Sequence, residues 1–384
     1  MSGRWPGLGR VGIWAGDMDG YPAAAASEAV AAIEDLGYGT LWFPETTGRE
    51  AMAQAAMLLS ATRRITVATG VASIYARDPV TAAAAQRTLD EAFPGRFLLG
   101  LGVSHPALVT DVRGHPFGPP VAAMRDYLDG MDAAPFGPPP PRPRPSALSE
   151  APLSAPSGAP PFAPSEAPPS APLPPTLATA AHPEPPPPAP SGAPSPAPRS
   201  PAPVGPPPSG VAAPPMPSPP GPSGPQPSRR VLAALGPKML ALAAERAWGA
   251  HPLGMPVEHT RDARRILGPD ALLAVTQFVI LDPSRSRSAD LARAHVAAAM
   301  PNRRSLLHGL GYESAASFEP RDSLDSLDDR LVEALVVTGD TDDVAQRVRE
   351  HLDAGADHVS LHVLTDTPQH PPLRQWSELA GLSL

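Results

Sequence analysis

Two kinds of residue in this chain could do chemistry. Glu45, His105 and His251 can carry protons, and each stands at the edge of an apolar run. A carboxylate and an imidazole converging from different strands could serve as a general acid and base. Gly236-Pro237-Lys238 follows another apolar run and opens a helix. There the free N–H groups, the positive helix end and a lysine meet at one point, which suits a phosphate-bearing ligand. Ser73, Ile74 and Tyr75, and Ser104, also lie near the ends of apolar runs, and Gln277 lies within one. Each feature has a structural alternative. Glu45 can cap a helix, His105 before Pro106 can shape a turn, and Gly100-Leu101-Gly102 reads equally as a phosphate loop or as close strand packing. No H-E-x-x-H occurs and the cysteine count is zero. A metal is therefore not expected, and disulfides, Cys-ligated zinc, iron–sulfur clusters and a cysteine nucleophile are excluded.

The elements that must position these groups alternate along the chain. Apolar runs at Val11–Ala15, Thr40–Pro44, Ile65–Ser73 and Phe97–Val103 predict four strands, with helices over Ala23–Leu36 and near Glu50–Thr62. Asp78-Pro79 reads as N-cap and first residue of a third helix, and Met124, Leu128 and Met131 mark a fourth. Strands at Val231–Leu235, His251–Gly254, Leu272–Leu281 and His358–Leu364 follow, with helices between them, one of them started by Asp282-Pro283. Eight strand–helix units predict a (β/α)8 TIM barrel over residues 1–134 and 229–384. An open Rossmann sheet is disfavoured because Val11-Gly12-Ile13-Trp14 stands where its glycine fingerprint would be.

The chain has 384 residues, of which 58 are proline, and 39 of those fall in residues 135–228. That segment is dominated by Pro, Ala, Ser and Gly, and predicts a disordered, Pro-rich insert between the fourth helix and the fifth strand. It enters on the face opposite a barrel's active site, and the added length costs only about 2–3 kcal/mol in loop closure. A ligand for proline-binding modules is the functional reading of the tract; a neutrally expanded loop is the plainer one. A net charge of −8 and few aromatics argue against nucleic acid as a partner. No run of 18 apolar residues and no signal-like start are present, so a cytoplasmic protein without a membrane partner is expected.

Several of these runs resemble one family. Leu36-Gly37-Tyr38-Gly39-Thr40-Leu41-Trp42-Phe43-Pro44-Glu45 and Gly95-Arg96-Phe97-Leu98-Leu99-Gly100-Leu101-Gly102-Val103 are similar to segments of the luciferase-like monooxygenases. So are Ala234-Leu235-Gly236-Pro237-Lys238-Met239-Leu240 and Ala354-Gly355-Ala356-Asp357-His358-Val359. The chain most resembles the actinobacterial F420-dependent oxidoreductase branch. The resemblance implies a barrel that binds coenzyme F420, with FMN as the alternative, and moves a hydride between the deazaflavin C5 and a small organic substrate. An FMN-dependent monooxygenase using reduced flavin and O2 is the second reading, and a non-catalytic flavin-binding barrel or scaffold the third. It further implies cofactor contacts at Ser73, Ile74, Gly102, Val103, Ser104, Gly236 and Lys238, with a non-proline cis peptide at Ser73-Ile74. The family's usual histidine after the second-strand acid is replaced here by Thr46, so Glu45, His105 and His251 are the candidate catalytic residues. A homodimer, and a flavin or F420 reductase supplying reduced cofactor, are the implied partners.

Overall fold

The computed structural model describes residues 5, 7–137, 229–282, 284–319 and 322–384. The expected Pro-rich insert, apart from its first three residues, lies outside the described residues, and so does its expected disorder.

The first half alternates as the sequence predicts: β1 Val11–Trp14, α1 Ala23–Asp35, β2 Thr40–Phe43, α2 Ala51–Ser60, β3 Thr66–Thr69, β4 Ala72–Ser73, α3 Pro79–Ala92, β5 Phe97–Gly102 and α4 Pro120–Asp132. The second half holds β6 Arg230–Leu232, α5 Pro237–Arg246, β7 Gly249–Ala250, α6 Val257–Leu267, β8 Leu272–Ile280 and α7 Arg285–Ala299. Then come α8 Arg304–Gly309, α9 Glu313–Ser317, α10 Asp329–Leu335, β9 Val336–Thr338, α11 Thr341–Asp353, β10 His358–Val363 and α12 Leu373–Leu379.

Local chemistry explains the boundaries. Asp78 accepts the Thr81 N–H and Pro79 starts α3, so the missing proline donor costs the helix nothing. Asp340 and Asp343 form a reciprocal capping box on α11. After α1, Gly37 takes φ +92°, a left-handed turn that stops the helix and aims β2. The buried Glu34 carboxylate accepts the backbone N–H groups of Arg63, Arg64 and Ile65, fixing the turn into β3.

All pairings are parallel, in the order β10-β1-β2-β3-β5-β6-β7-β8, and β10 also pairs β8. That last ladder closes the sheet into a barrel, with β3 and β4 sharing one position and the helices outside. The expected fold class is therefore present. The main core lies between helices and sheet, including Ile33, Leu41, Leu58, Phe97 and Leu128. A separate set built around Trp14, Trp42, Ala68, Leu98, Val231 and Ala274 fills the barrel. The chain leaves α4 and re-enters at β6 with the two ends joined: Asp132 pairs with both Arg230 and Arg246, and Asp129 with Arg246.

Four details differ from the sequence reading. The sixth strand is Gly249–Ala250, and His251 follows it, because Pro252 has no N–H to continue the ladder. The long third strand is split in two. Its cis peptide is Gly70-Val71, upstream of Ser73-Ile74, where Thr69 O crosses so close to Gly100 that a Cβ there would lie 2.0 Å away. Ser284, not Asp282, caps α7; Asp282 instead accepts the Ser284 N–H in a turn. A ninth strand, β9, pairs with the far end of β8 outside the closed ring.

Candidate active site

The C-terminal ends of the barrel strands carry the candidate groups, but not in the arrangement the sequence suggests. Glu45 follows β2, and its side chain is only 2 % exposed. One oxygen pairs with Arg77 and accepts the Ala51 N–H, and the other accepts the Ser73 N–H at 2.8 Å. Arg77 also reaches Glu50 at 2.7 Å. Glu45 thus ties the ends of β2 and β4 to the start of α2. Beyond it, Ile74 donates its N–H to Gly102 O at 3.0 Å, so the apolar Ile74 side chain sits beside the end of β5.

Both glycines of Gly100-Leu101-Gly102 are close-packing residues. A Cβ on Gly100 would meet Thr69 O at 2.0 Å, and one on Gly102 would meet Val71 Cγ2 at 2.4 Å. The chain then turns at Ser104, whose φ of +60° is rare for a residue with a side chain. His105 lies exposed at the rim. Partial desolvation, followed by the nearby Arg303 charge, holds its imidazole below the usual histidine range.

Helix α5 begins at the same end of the barrel. Gly236 is its N-cap, no side chain caps the first turn, and the space a Gly236 Cβ would occupy is open. Lys238 is exposed beside it. Uncapped N–H groups, positive dipole and ammonium group stand together, as a phosphate requires.

His251 lies inside the barrel, stacked on Trp42 with ring centroids 4.0 Å apart. Its Nδ1–H donates to Ala274 O at 2.9 Å, and Nε2 lies 3.5 Å from Thr276 Oγ1. Beneath it, His358 donates Nδ1–H to Gly9 O and accepts the Trp42 indole N–H at 3.0 Å. Burial pushes His251 down to about 3 and His358 down to about 4, so both are neutral at pH 7. Gln277, by contrast, faces outward, where its Oε1 accepts the His351 Nε2–H at 3.0 Å.

Sequence reasoning missed a second group of residues at this mouth. His358 and His362 stand four apart on β10, a spacing that puts both on the inner face of a strand. His362 is in register with Phe278 on β8. Its ring lies 4.5 Å from that of Trp14, and His295 of α7 lies 4.2 Å from Phe278. Arg303 is 7 % exposed and donates to Ala299 O at 3.0 Å and Leu253 O at 2.9 Å. The only signal available in advance was the His358/His362 spacing; Arg303 lies in a region without strand or helix periodicity, and nothing in the sequence of the helix that carries His295 marks which of its residues reaches the mouth. Among the described residues, no group of three or more His, Asp and Glu side chains could hold a metal ion, and no helix is long and apolar enough to cross a membrane.

Comparison with known proteins places this geometry. A family model for luciferase-like monooxygenases matches residues 10–141 and 206–358. A Mycobacterium tuberculosis protein that carries the name coenzyme F420-dependent oxidoreductase is 38% identical over 120 residues, 31% of this chain and 35% of its own length. The chain therefore matches about a third of that curated relative. A solved F420-dependent secondary alcohol dehydrogenase in complex with an F420-acetone adduct has a TM-score of 0.59 at 14% identity, covering 97% of this chain and 98% of the other. The coenzyme F420-dependent tetrahydromethanopterin reductase of Methanopyrus kandleri has a TM-score of 0.60 at 15% identity, covering 97% of both chains. The oxygenating constituent of a 3,6-diketocamphane monooxygenase of Pseudomonas putida, in complex with FMN, has a TM-score of 0.56 at 13% identity, again over 97% of both. These three structures share the fold.

Proposed function

The chain belongs to the luciferase-like monooxygenases, and from that premise we propose that it is an F420-dependent oxidoreductase acting on a small organic substrate. The observation that carries the reading is the mouth of the barrel. An uncapped, open helix N-terminus with Lys238 stands at the same strand ends as the apolar Ile74 and the turn at Gly102-Val103-Ser104. Such a site offers a phosphate one end and a flat apolar ring the other. The F420 name of the M. tuberculosis relative favours the deazaflavin. FMN is the second reading, favoured by the P. putida structure of the same fold.

Gly236 and Lys238 would hold the phosphate. Ser73, Ile74, Gly102, Val103 and Ser104 would line the ring's side of the site. When bound, F420 supplies a hydride donor or acceptor at C5, and the protein orients it and handles the accompanying proton. His105 is the proton carrier in this reading: it stands at the rim, neutral at pH 7, able to accept a proton from a substrate hydroxyl. Glu45 acts through its tie to Arg77 and the Ser73 N–H, which fixes the β4 end beneath Ile74. His251 holds its place under the mouth as a neutral ring with Nε2 turned toward Thr276. A homodimer and a reductase supplying reduced cofactor complete the proposal.

Titration of the protein with F420 and with FMN, followed by cofactor fluorescence, tests it. Lys238→Ala should weaken the preferred cofactor by about 1 kcal/mol, the scale of a solvent-exposed charge-assisted contact, and leave riboflavin binding unchanged. If neither cofactor binds below millimolar concentration, the reading fails.

A further inference from the structure

His259 of α6 is only 4 % exposed, yet among the described residues its ring makes a single hydrogen bond. Nε2 lies 2.7 Å from Leu235 O, and Nδ1 has no partner. A carbonyl only accepts, so Nε2 carries the hydrogen and Nδ1 is left as a bare, buried lone pair. An unsatisfied buried nitrogen is costly, and an apolar side chain of similar size would avoid it. What the imidazole offers in return is its one bond to Leu235.

That bond sets the peptide group from which α5 starts. No other donor among the described residues reaches Leu235 O. A cavity of about 400 Å³ lies against Leu235, Pro237 and His259, so the hydrogen bond rather than packing braces the peptide on that side. The Leu235–Gly236 peptide is trans, and a trans peptide directs its C=O and N–H to opposite sides. Strand β6 has β5 on one flank and β7 on the other, and α6 follows β7. The peptide between Leu232 and Ala233 shows the same division. Its oxygen accepts the His251 N–H beyond β7 at 2.8 Å, and its N–H donates to Leu101 O of β5 at 2.8 Å. By holding Leu235 O on the α6 side, His259 turns the Gly236 N–H toward the β5 side. There stands the turn at Gly102-Val103-Ser104; a Cβ on Gly102 would lie 3.3 Å from Ala233 Cβ. The Gly236 N–H has no acceptor among the described residues.

We propose that His259 is a positioning residue of the phosphate end of the site: it fixes the Leu235–Gly236 peptide so that the Gly236 N–H faces the phosphate of the bound cofactor. The proposal rests on the F420 or FMN reading for the word cofactor, but the response of Gly236 to an anion can be measured without it.

The test uses the full chain carrying isotopically labelled glycine, with the Gly236 amide signal identified by its loss in Gly236→Ala, a change for which the space is open. The probes are inorganic phosphate, FMN, F420 and riboflavin, with amide shifts read by NMR and affinities by fluorescence and calorimetry. In the native protein phosphate and the preferred cofactor should move the Gly236 amide proton downfield, and riboflavin should not. His259→Leu should weaken phosphate and that cofactor about tenfold, the scale of a lost hydrogen bond to a charged group, with riboflavin within about twofold. It should also abolish the Gly236 shift. His259→Gln, whose amide can donate to the same carbonyl, should keep cofactor affinity within about threefold of native. A Gly236 amide that responds to none of phosphate, FMN and F420 overturns the proposal on the native protein alone, even if His259→Leu does not fold. Unchanged phosphate affinity in His259→Leu, or equal losses of FMN and riboflavin, overturns it and leaves the imidazole a tie between α6 and β6. A Gln variant as impaired as the Leu variant counts against it in the same way. A Gly236 response to phosphate without F420 or FMN binding would sink the cofactor reading and leave the role of His259 standing. Cofactor binding with an unmoved Gly236 amide would do the reverse.

Discussion

Acidification from pH 7 to pH 5 should destabilise this barrel steeply, and the buried histidines are the reason. His251, His351 and His358 are at most 1 % exposed, and burial lowers them to about 3, 3 and 4. In the unfolded chain each returns to about 6.5. Their folded values are depressed, so the unfolded state binds protons first as pH falls, and stability present above pH 6.5 is lost below it. Each imidazole then costs about 2 kcal/mol at pH 5 relative to pH 7, or about 6 kcal/mol for the three. His259, His295 and His362 shift the same way and steepen the fall. Asp90 opposes it: burial raises it to about 6, so it gains a proton in the folded state and returns about 1 kcal/mol over the same window. The net loss is a large part of a typical stability of about 5–15 kcal/mol. Urea unfolding at pH 7, 6 and 5, followed by far-ultraviolet circular dichroism, measures it. A free carboxyl group titrates at about 4, below this window, so the slope reports chiefly imidazoles, with Asp90 opposing them. His351→Gln can keep the donor to Gln277 and the acceptor for Thr260, and should remove about one proton from the slope. Stability that is flat between pH 7 and 5, or a His351→Gln variant with the full slope, would refute the reasoning.

Three further outcomes follow from the site. Gly100→Ala should destabilise by about 3 kcal/mol, because its Cβ would strike the backbone oxygen of Thr69; Gly102→Ala strikes only the Val71 side chain and should be partly rescued by Val71→Ala, both read by chemical denaturation. His105→Ala should lower turnover by about 10²-fold or more with cofactor affinity within about threefold, whereas Glu45→Gln and Arg77→Met should both lower cofactor affinity and melting temperature; intact affinity in the latter pair would return Glu45 to the role of proton carrier. Deleting residues 138–226 and joining the ends with a short linker should leave cofactor affinity unchanged, and loss of soluble protein would count against the one-domain, one-insert organisation.

Much of the architecture was readable because its punctuation is chemical. Asp78-Pro79, Gly37, Gly268 and Gly355 mark helix ends with residues whose backbone preferences are local, and each stands at such an end in the structure. Continuous apolar strands such as Leu272–Ile280 are fully buried, as a parallel sheet covered on both faces requires. Residues 304–335 were not readable: their helices of five to seven residues are too short to display a period. The site was only half legible. Lys238 and Gly236 could be found because strand, proline and lysine are adjacent in sequence. Trp14 and His362 meet across the β10–β1 ladder, and no local pattern reports a contact between strands at opposite ends of the sequence. Gln277 was misread because alternation sends Thr276 and Phe278 inward and Gln277 out.

The join between Asp132 and Arg230 has a consequence for assembly. It lies where the barrel divides into halves, with β1 to β5 on one side and β6 to β10 on the other, meeting along the β5–β6 and β10–β1 ladders. The covalent connection at this point works as a tether, setting the effective concentration of one half for the other, and that concentration falls as the tether lengthens. A connection as long in sequence as the one from Asp132 to Arg230 contributes little to that concentration. The union of the two halves then depends on the seams themselves: the Leu99–Arg230 register, the Asp132 and Asp129 bonds to Arg230 and Arg246, and the Val11–Val359 pairing. Separately expressed halves should therefore complement one another in trans.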